Sequence, residues 1–146
     1  MDRPIEFRAW DKQSERMGAV ASIEWNPDFT ICRARVIFPI EVNGFPGTEE
    51  LWIPGDRLIV MQFTGPHDRD GKKLFQGDIL RKPNGLIWEI YWSERYLQWY
   101  SRCLNVTNFV DPLTNREVDE RAMIIGNIFE NAALREGEHE NPKENL

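Results

Sequence analysis

Histidine and cysteine are scarce in this 146-residue chain, which has two copies of each. Cys32 and Cys103 lie far apart and form no CxxC pair, so the sequence indicates neither a disulfide scaffold nor a zinc site with four clustered ligands. His139 falls in a polar tail, and His67 adjoins Asp68 in a predicted turn, where a solvated side chain is commoner than a general base. We therefore predict no catalytic residue, no metal site and no cofactor.

Long apolar runs are also missing. The N-terminal stretch, MDRPIEFRAWDK, contains no apolar core of signal-peptide length, and no later stretch approaches the length of a membrane span. The two cysteines belong to no disulfide pattern and fit reduced thiols. These absences predict a cytoplasmic protein that does not associate with membranes.

Basic residues are fewer than acidic ones, 18 against 24, so the formal net charge is −6. An acidic chain is not expected to bind nucleic acid non-specifically. Acidic residues outnumber basic ones in residues 1–56 and in the tail, whereas residues 57–134 have equal numbers of both. A local basic surface within residues 57–134 is therefore compatible with the sequence. The acidic tail, EGEHENPKENL, has little to pack and is predicted to be disordered.

Aromatic side chains, by contrast, are abundant, with six Trp, eight Phe and three Tyr. Such residues favour strands, and residues 86–92 alternate so that Trp88 and Trp92 share one face. Helical patterns are few. Residues 48–52 and residues 131–135 each predict a single helical turn.

Strand-length segments separated by short turns are typical of small barrels and sandwiches. We therefore predict a mainly β fold, α+β at most, with one or two short helical turns. The predicted parts are an N-terminal β subdomain over residues 1–56, a C-terminal small SH3-like β barrel over residues 57–134, and a disordered acidic tail over residues 135–146.

Residues 61–80, MQFTGPHDRDGKKLFQGDIL, hold the densest motif. A calcium loop does not fit, because placing Gly71 at the sixth position leaves a proline at the first ligand position and no Glu at the twelfth. A hairpin fits better, with residues 58–63 and 72–75 as strands and Asp70 before Gly71 supplying a tight reversal with positive φ. The motif is thus predicted to be scaffold.

The same stretch resembles the signature of the YopX family of phage and prophage proteins, which reads M-Q-[YF]-T-G, then a D-x-[ND]-G turn, then [IL]-[YF]-x-G-D-[IL]. Two further anchors resemble that family, IEFRAWD at residues 5–11 and IIGNIFEN at residues 124–131. The order and spacing of the three anchors extend the resemblance over residues 5–134.

The resemblance implies a two-part, β-rich fold encoded by temperate phages. It implies no activity, because none is established for the family, and it brings no functional residues to this chain. The chain departs from the family at Ala132 and Ala133, where Pro-Glu is more usual. Residues 18–57 and 93–121 match no motif and hold whatever is particular to this member.

A glycine interrupts the apolar segment IIGNIFEN. Within a strand, a glycine usually marks a β-bulge or a close backbone approach, and Asn127 can cap such a kink by bonding its own backbone. We therefore predict a bend at Gly126 and not an active-site loop.

The aromatic segment WEIYWSERYLQWYSR, residues 88–102, is the candidate binding region. Trp99 and Tyr100 are neighbours on a predicted strand and face opposite sides, so at least one of them is expected to be partly exposed. Exposed aromatic rings beside arginines can stack on nucleic-acid bases or form a protein interface. The same residues also fit a third interpretation, in which one face of the strand packs on the core and the other carries ordinary amphipathic aromatics. The candidate partner-binding residues are Tyr96, Trp99, Tyr100 and Arg102.

Three classes of function remain. The first is a phage- or prophage-encoded, non-catalytic interaction protein that forms a homo-oligomer and contacts a host or phage protein in the host cytoplasm. The alternative is a nucleic-acid-binding module that uses the aromatic and Arg side chains of the barrel. The second alternative is an enzyme with carboxylate chemistry, which needs a cleft where two acids have pKa values pushed apart. The acidic charge and the lack of a catalytic motif favour the first class.

Overall fold

The structure is a computed structural model, and it describes residues 5–113 and 121–135. Its contacts divide the chain into two compact units, one within Pro4–Phe63 and the other beginning at Thr64. Antiparallel strands build both units, which confirms the prediction of a mainly β protein. The predicted boundary after Asp56 stays a prediction.

The first unit is an antiparallel meander. It contains β1 (Phe7–Asp11), β2 (Arg16–Trp25), β3 (Ile31–Val42), β4 (Phe45–Pro54) and the start of β5 (Leu58–His67). The order of these strands in the sheet is β4-β3-β2-β1-β5. Along β3, alternation turns Arg33 and Arg35 to one side and apolar residues to the other. The core of the unit consists of Ala9, Ala34, Val36, Phe38, Ile53 and Leu58.

The prediction of a helical turn over residues 48–52 was wrong. These residues lie in β4, which pairs with β3 along its whole length. The Thr-Glu-Glu stretch resembles a helix start, but a long cross-strand ladder outweighs a weak local preference. The structure instead has a 3₁₀ turn at Gly55–Arg57, directly after β4.

The second unit is also antiparallel. Within it β6 (Lys73–Phe75) pairs with the end of β5. Five strands follow: β7 (Asp78–Arg81), β8 (Ile87–Ser93), β9 (Gln98–Cys103), β10 (Val110–Pro112) and β11 (Met123–Asn127). They form a sheet in the order β10-β9-β8-β7-β11. The core of this unit holds Leu74, Leu80, Trp88, Ile90, Cys103 and Ala122. A helical turn at Ala132–Arg135 confirms the prediction for residues 131–135.

Barrel closure and the disordered tail stay predictions. Among the described strands, no ladder joins β10 to β11, so the five-stranded sheet is open there. Apart from Arg135, the predicted disordered tail lies outside the described residues. None of the helices in the described ranges has the length and apolar character needed to span a bilayer.

Candidate functional site

The hairpin predicted for the densest motif is confirmed. β5 and β6 pair, and Gly71 at the reversal has a φ of 81°. The carboxylate of Asp68 is buried and accepts the backbone N–H groups of Asp70 and Lys72, each at 2.9 Å. Its second oxygen accepts the N–H of Ile124 on β11 at 3.1 Å. Asp68 thereby ties the hairpin loop to β11, and its oxygens are directed at the backbone.

The Gly77-Asp78 pair in the same motif also supports a change of chain direction. Gly77 has a φ of 88°, a conformation that a glycine adopts without strain. The carboxylate of Asp78 is buried and accepts the N–H of Phe75 at 2.7 Å. This pair is therefore part of the scaffold.

The bend predicted at Gly126 is confirmed. The ladder between β7 and β11 shifts register just before this glycine, and a Cβ there would lie 2.5 Å from Oδ1 of Asn131. The Asn131 side chain accepts the N–H of Asn127 at 3.1 Å. The Asn127 side chain in turn accepts the N–H groups of Phe129 and Glu130 at 3.0 and 2.8 Å. The closing motif thus forms a hydrogen-bonded corner.

Asp11, at the end of the opening motif, is a buried carboxylate paired with an arginine. Arg57 donates to both of its oxygens, at 3.2 and 2.6 Å. Burial alone would raise the pKa of Asp11. The hydrogen bonds from Arg57, from Ser14 and from the backbone of Gln13 outweigh burial and lower the pKa to about 2. Asp11 is therefore a charged structural group at neutral pH.

The described residues contain no group of His, Cys, Asp and Glu that could hold a metal ion. An open groove of about 470 Å³ lies in the first unit, between Ile5–Phe7 and the β2 residues around Val20. Among the described residues that line it, Glu6 is the one with an ionisable side chain. The described lining of this groove therefore contains one acid and not the pair that the carboxylate-enzyme hypothesis needs.

Five side chains on β8, on β9 and in the turn between them form a surface that we name the tyrosine–arginine strip: Tyr91, Arg95, Tyr96, Tyr100 and Arg102. The pairing of β8 with β9 sets Tyr91 directly opposite Tyr100. Because side chains alternate along a strand, the neighbouring residues Trp88 and Ile90 point the other way, into the core.

Tyr100 is the centre of the tyrosine–arginine strip. Its ring stacks on that of Tyr96, with centroids 5.1 Å apart and 14° between the planes, and lies 6.3 Å from that of Tyr91. The Arg102 guanidinium lies over the Tyr91 ring, 4.2 Å from its centroid, and the Arg95 guanidinium lies 5.3 Å from the centroid of Tyr96. Tyr96 is 51% exposed, and both arginines are exposed. The strip is thus an aromatic surface that carries two cations.

The structure brings together three of the four candidate binding residues, Tyr96, Tyr100 and Arg102. Trp99 lies on the opposite face of the sheet, where its ring meets that of Trp92 edge-on at 5.1 Å and packs against the core. The four candidate residues did not include Tyr91 or Arg95, although the sequence places Arg95 beside the aromatic residues. Alternation puts Tyr91 on the face opposite Trp88 and Trp92, but its position across from Tyr100 depends on strand register, which a single sequence does not determine.

Comparisons with known proteins agree with this fold. Residues 6–136 match the sequence profile of a family described as YopX protein. Among solved structures, the chain is similar to protein EF1440 from Enterococcus faecalis, with 21% sequence identity and a TM-score of 0.65. That match covers 92% of this chain and 99% of the Enterococcus chain, and at this identity it shows a shared fold. The search of curated proteins finds no match.

Proposed function

The chain belongs to the YopX protein family, and we propose that it is a non-catalytic interaction protein whose tyrosine–arginine strip binds another protein. The observation that carries this proposal is the strip itself, three tyrosines and two arginines gathered on one surface of the second unit. Tyr and Arg are enriched in protein interfaces and supply much of their binding energy. The buried carboxylates of the family motifs, by contrast, hold the fold together.

The proposal includes a biological setting. The resemblance to phage and prophage proteins supports a phage or prophage origin and a role in the host cytoplasm. The partner is then a host protein or another phage protein. The reduced state expected of Cys32 and Cys103 supports the same compartment.

We extend the proposal to self-association. The first unit exposes two large aromatic side chains at the turn between β2 and β3, where Trp25 and Phe29 are 56% and 83% exposed. Exposed apolar groups of this size mark contact surfaces when they form patches. Size-exclusion chromatography with light scattering is expected to give a dimer or larger species, and a strict monomer at the highest soluble concentration contradicts this part of the proposal.

Affinity capture from phage-infected cells tests the role of the strip, followed by binding measurements with the purified partner. We expect Tyr96→Ala combined with Tyr100→Ala to weaken binding at least about tenfold, because interface tyrosines carry a large share of the binding energy. Phe45→Ala is the matched control, since it removes an exposed aromatic ring from the first unit. Equal affinity of all these variants, with unchanged thermal midpoints, contradicts the proposal.

A further inference from the structure

We infer that the tyrosine–arginine strip recognises carboxylates, and that its occupant is an acidic segment of a partner protein. This inference rests on the proposed function, because it names the chemistry of the partner that the strip binds. Two features carry it: the contacts of the two arginines and the surroundings of the tyrosine rings.

The arginines of the strip differ from those of the first unit. Four arginines of the first unit each form a salt bridge of 2.6–3.0 Å with a carboxylate: Arg16, Arg33, Arg35 and Arg57. Arg95 and Arg102 form no salt bridge with any carboxylate of the described residues and contact the rings of Tyr96 and Tyr91 instead. Within the part of the chain that the structure describes, no carboxylate therefore occupies these two guanidinium groups, and each has donors for an anion.

The planar fork of a guanidinium suits an oxyanion, which is a carboxylate in a protein and a phosphate in a nucleic acid. When its face lies over an aromatic ring, its N–H donors point outward in the plane, and this fork matches the two oxygens of a carboxylate. Glu89 is the residue opposite Arg102 in the ladder between β8 and β9, but it is only 4% exposed. The Arg102 side chain extends over Tyr91 instead, which presents its donors at the surface.

Nucleic acid fits the same surface less well. Binding of single strands relies on free aromatic faces for the bases and on many cations for the phosphates. In the strip, Tyr96 already contacts Tyr100 and Arg95, and Tyr91 lies beneath Arg102. The strip has two cations, which are few for the many phosphate contacts that hold a nucleic acid. A short acidic protein segment requires only these two.

A second copy of the strip is a poorer occupant as well. In a two-fold symmetric contact the same patch meets itself. Such a contact brings the Arg95 and Arg102 side chains of both copies together, and like charges repel. The self-association proposed above is therefore assigned to other surfaces.

Nuclear magnetic resonance titration of the full chain with hexaglutamate tests the inference, with hexaglutamine and hexathymidylate as comparison probes. We expect hexaglutamate to shift the Nε–H resonances of Arg95 and Arg102, and hexaglutamine to shift neither. Arg95→Gln and Arg102→Gln are each expected to weaken hexaglutamate binding about three- to fivefold, the usual size for an exposed charge pair. Arg33→Gln is the matched control, because that guanidinium is already bonded to Glu24 and its loss should leave binding unchanged.

Three outcomes overturn the inference. If hexathymidylate binds more tightly than hexaglutamate and Arg102→Gln weakens both equally, the strip is assigned to nucleic acid. A change in oligomeric state caused by Arg102→Gln identifies the strip as a contact between copies. Failure of hexaglutamate to bind at about 1 mM, where a binding free energy of about −4 kcal/mol would already be detected, removes the carboxylate inference alone. The proposed function fails separately, if the Tyr96 and Tyr100 variants retain the captured partner.

Discussion

At the residue scale, the buried carboxylates show which properties of a side chain can be predicted from one sequence. The sequence places Asp68 and Asp70 in one turn and correctly predicts that this turn is scaffold. It does not reveal that Asp68 is 2% exposed while Asp70 is exposed, because the burial of Asp68 accompanies a hydrogen bond to Ile124, 56 residues away. Partners that are distant in sequence decide the role of a carboxylate, and local patterns do not contain them.

The Asp11→Asn variant tests the electrostatic role of the pair formed by Asp11 and Arg57. The folded pKa of Asp11, about 2, lies below its ordinary value of 3.8, so the ionised carboxylate stabilises the fold above about pH 4. That contribution is lost as the pH falls towards the folded pKa. At neutral pH we expect Asp11→Asn to lower the free energy of unfolding by about 2 kcal/mol, and we expect this difference from wild type to shrink between about pH 4 and pH 2.

Urea unfolding across this pH range measures the effect of Asp11→Asn. The exposed Asp56 offers a matched control in the same unit, and Asp56→Asn should change the free energy of unfolding much less than Asp11→Asn at neutral pH. A deficit for Asp11→Asn that stays constant down to about pH 2 assigns the effect to packing and contradicts the electrostatic explanation.

At the scale of elements, turn chemistry was easier to predict than strand pairing. The glycine within IIGNIFEN indicated a bulge, and the Asn after it indicated a side-chain cap; both are present. β4 was misassigned over residues 48–52, because its local Thr-Glu-Glu pattern favours a helix and only the ladder with β3 makes it a strand. The tyrosine–arginine strip shows the same limit, since Tyr91 joins it through strand register.

The Gly126→Ala variant tests the corner after β11. The added methyl group would overlap the Asn131 side chain, so we expect Gly126→Ala to cost about 1–3 kcal/mol, the usual range for overpacking. Asn131→Ala alone removes one hydrogen bond to the backbone and should cost about 1 kcal/mol. Combined, the two changes should cost less than their sum, because the overlap disappears with the side chain. Denaturant unfolding of the four proteins in this double-mutant cycle measures the coupling.

An additive result in this cycle contradicts the proposed reason for the glycine. In that case the requirement at Gly126 lies in the backbone and does not come from Asn131. Gly71→Ala provides a comparison, since its cost arises from a positive φ with no atom nearby and should not depend on Asn131.

At the scale of the whole molecule, the family anchors identify the fold but not the chemistry. Each anchor contributes a carboxylate or an amide that bonds the backbone or an arginine, so the family signature records how the chain folds. Four of the five residues of the tyrosine–arginine strip lie within residues 93–121, where the chain matches no motif of the family. A shared fold at 21% identity therefore leaves room for different partners in the two proteins.

The division of the chain yields a last prediction, on where the first unit ends. A fragment of residues 4–63 retains the β5 residues that pair with β1, from Leu58 opposite Asp11 to Gln62 opposite Phe7, and it retains Arg57. A fragment of residues 4–56 loses this strand and leaves the buried Asp11 without its cation, which costs several kcal/mol, about 3–5 for a buried pair. A domain of about 60 residues is only marginally stable, so it cannot absorb that loss.

We expect cooperative thermal unfolding by circular dichroism for the longer fragment and none for the shorter one. Equal cooperativity in both fragments places the boundary after Asp56, as the sequence predicted, and shows that β5 is dispensable for the first unit.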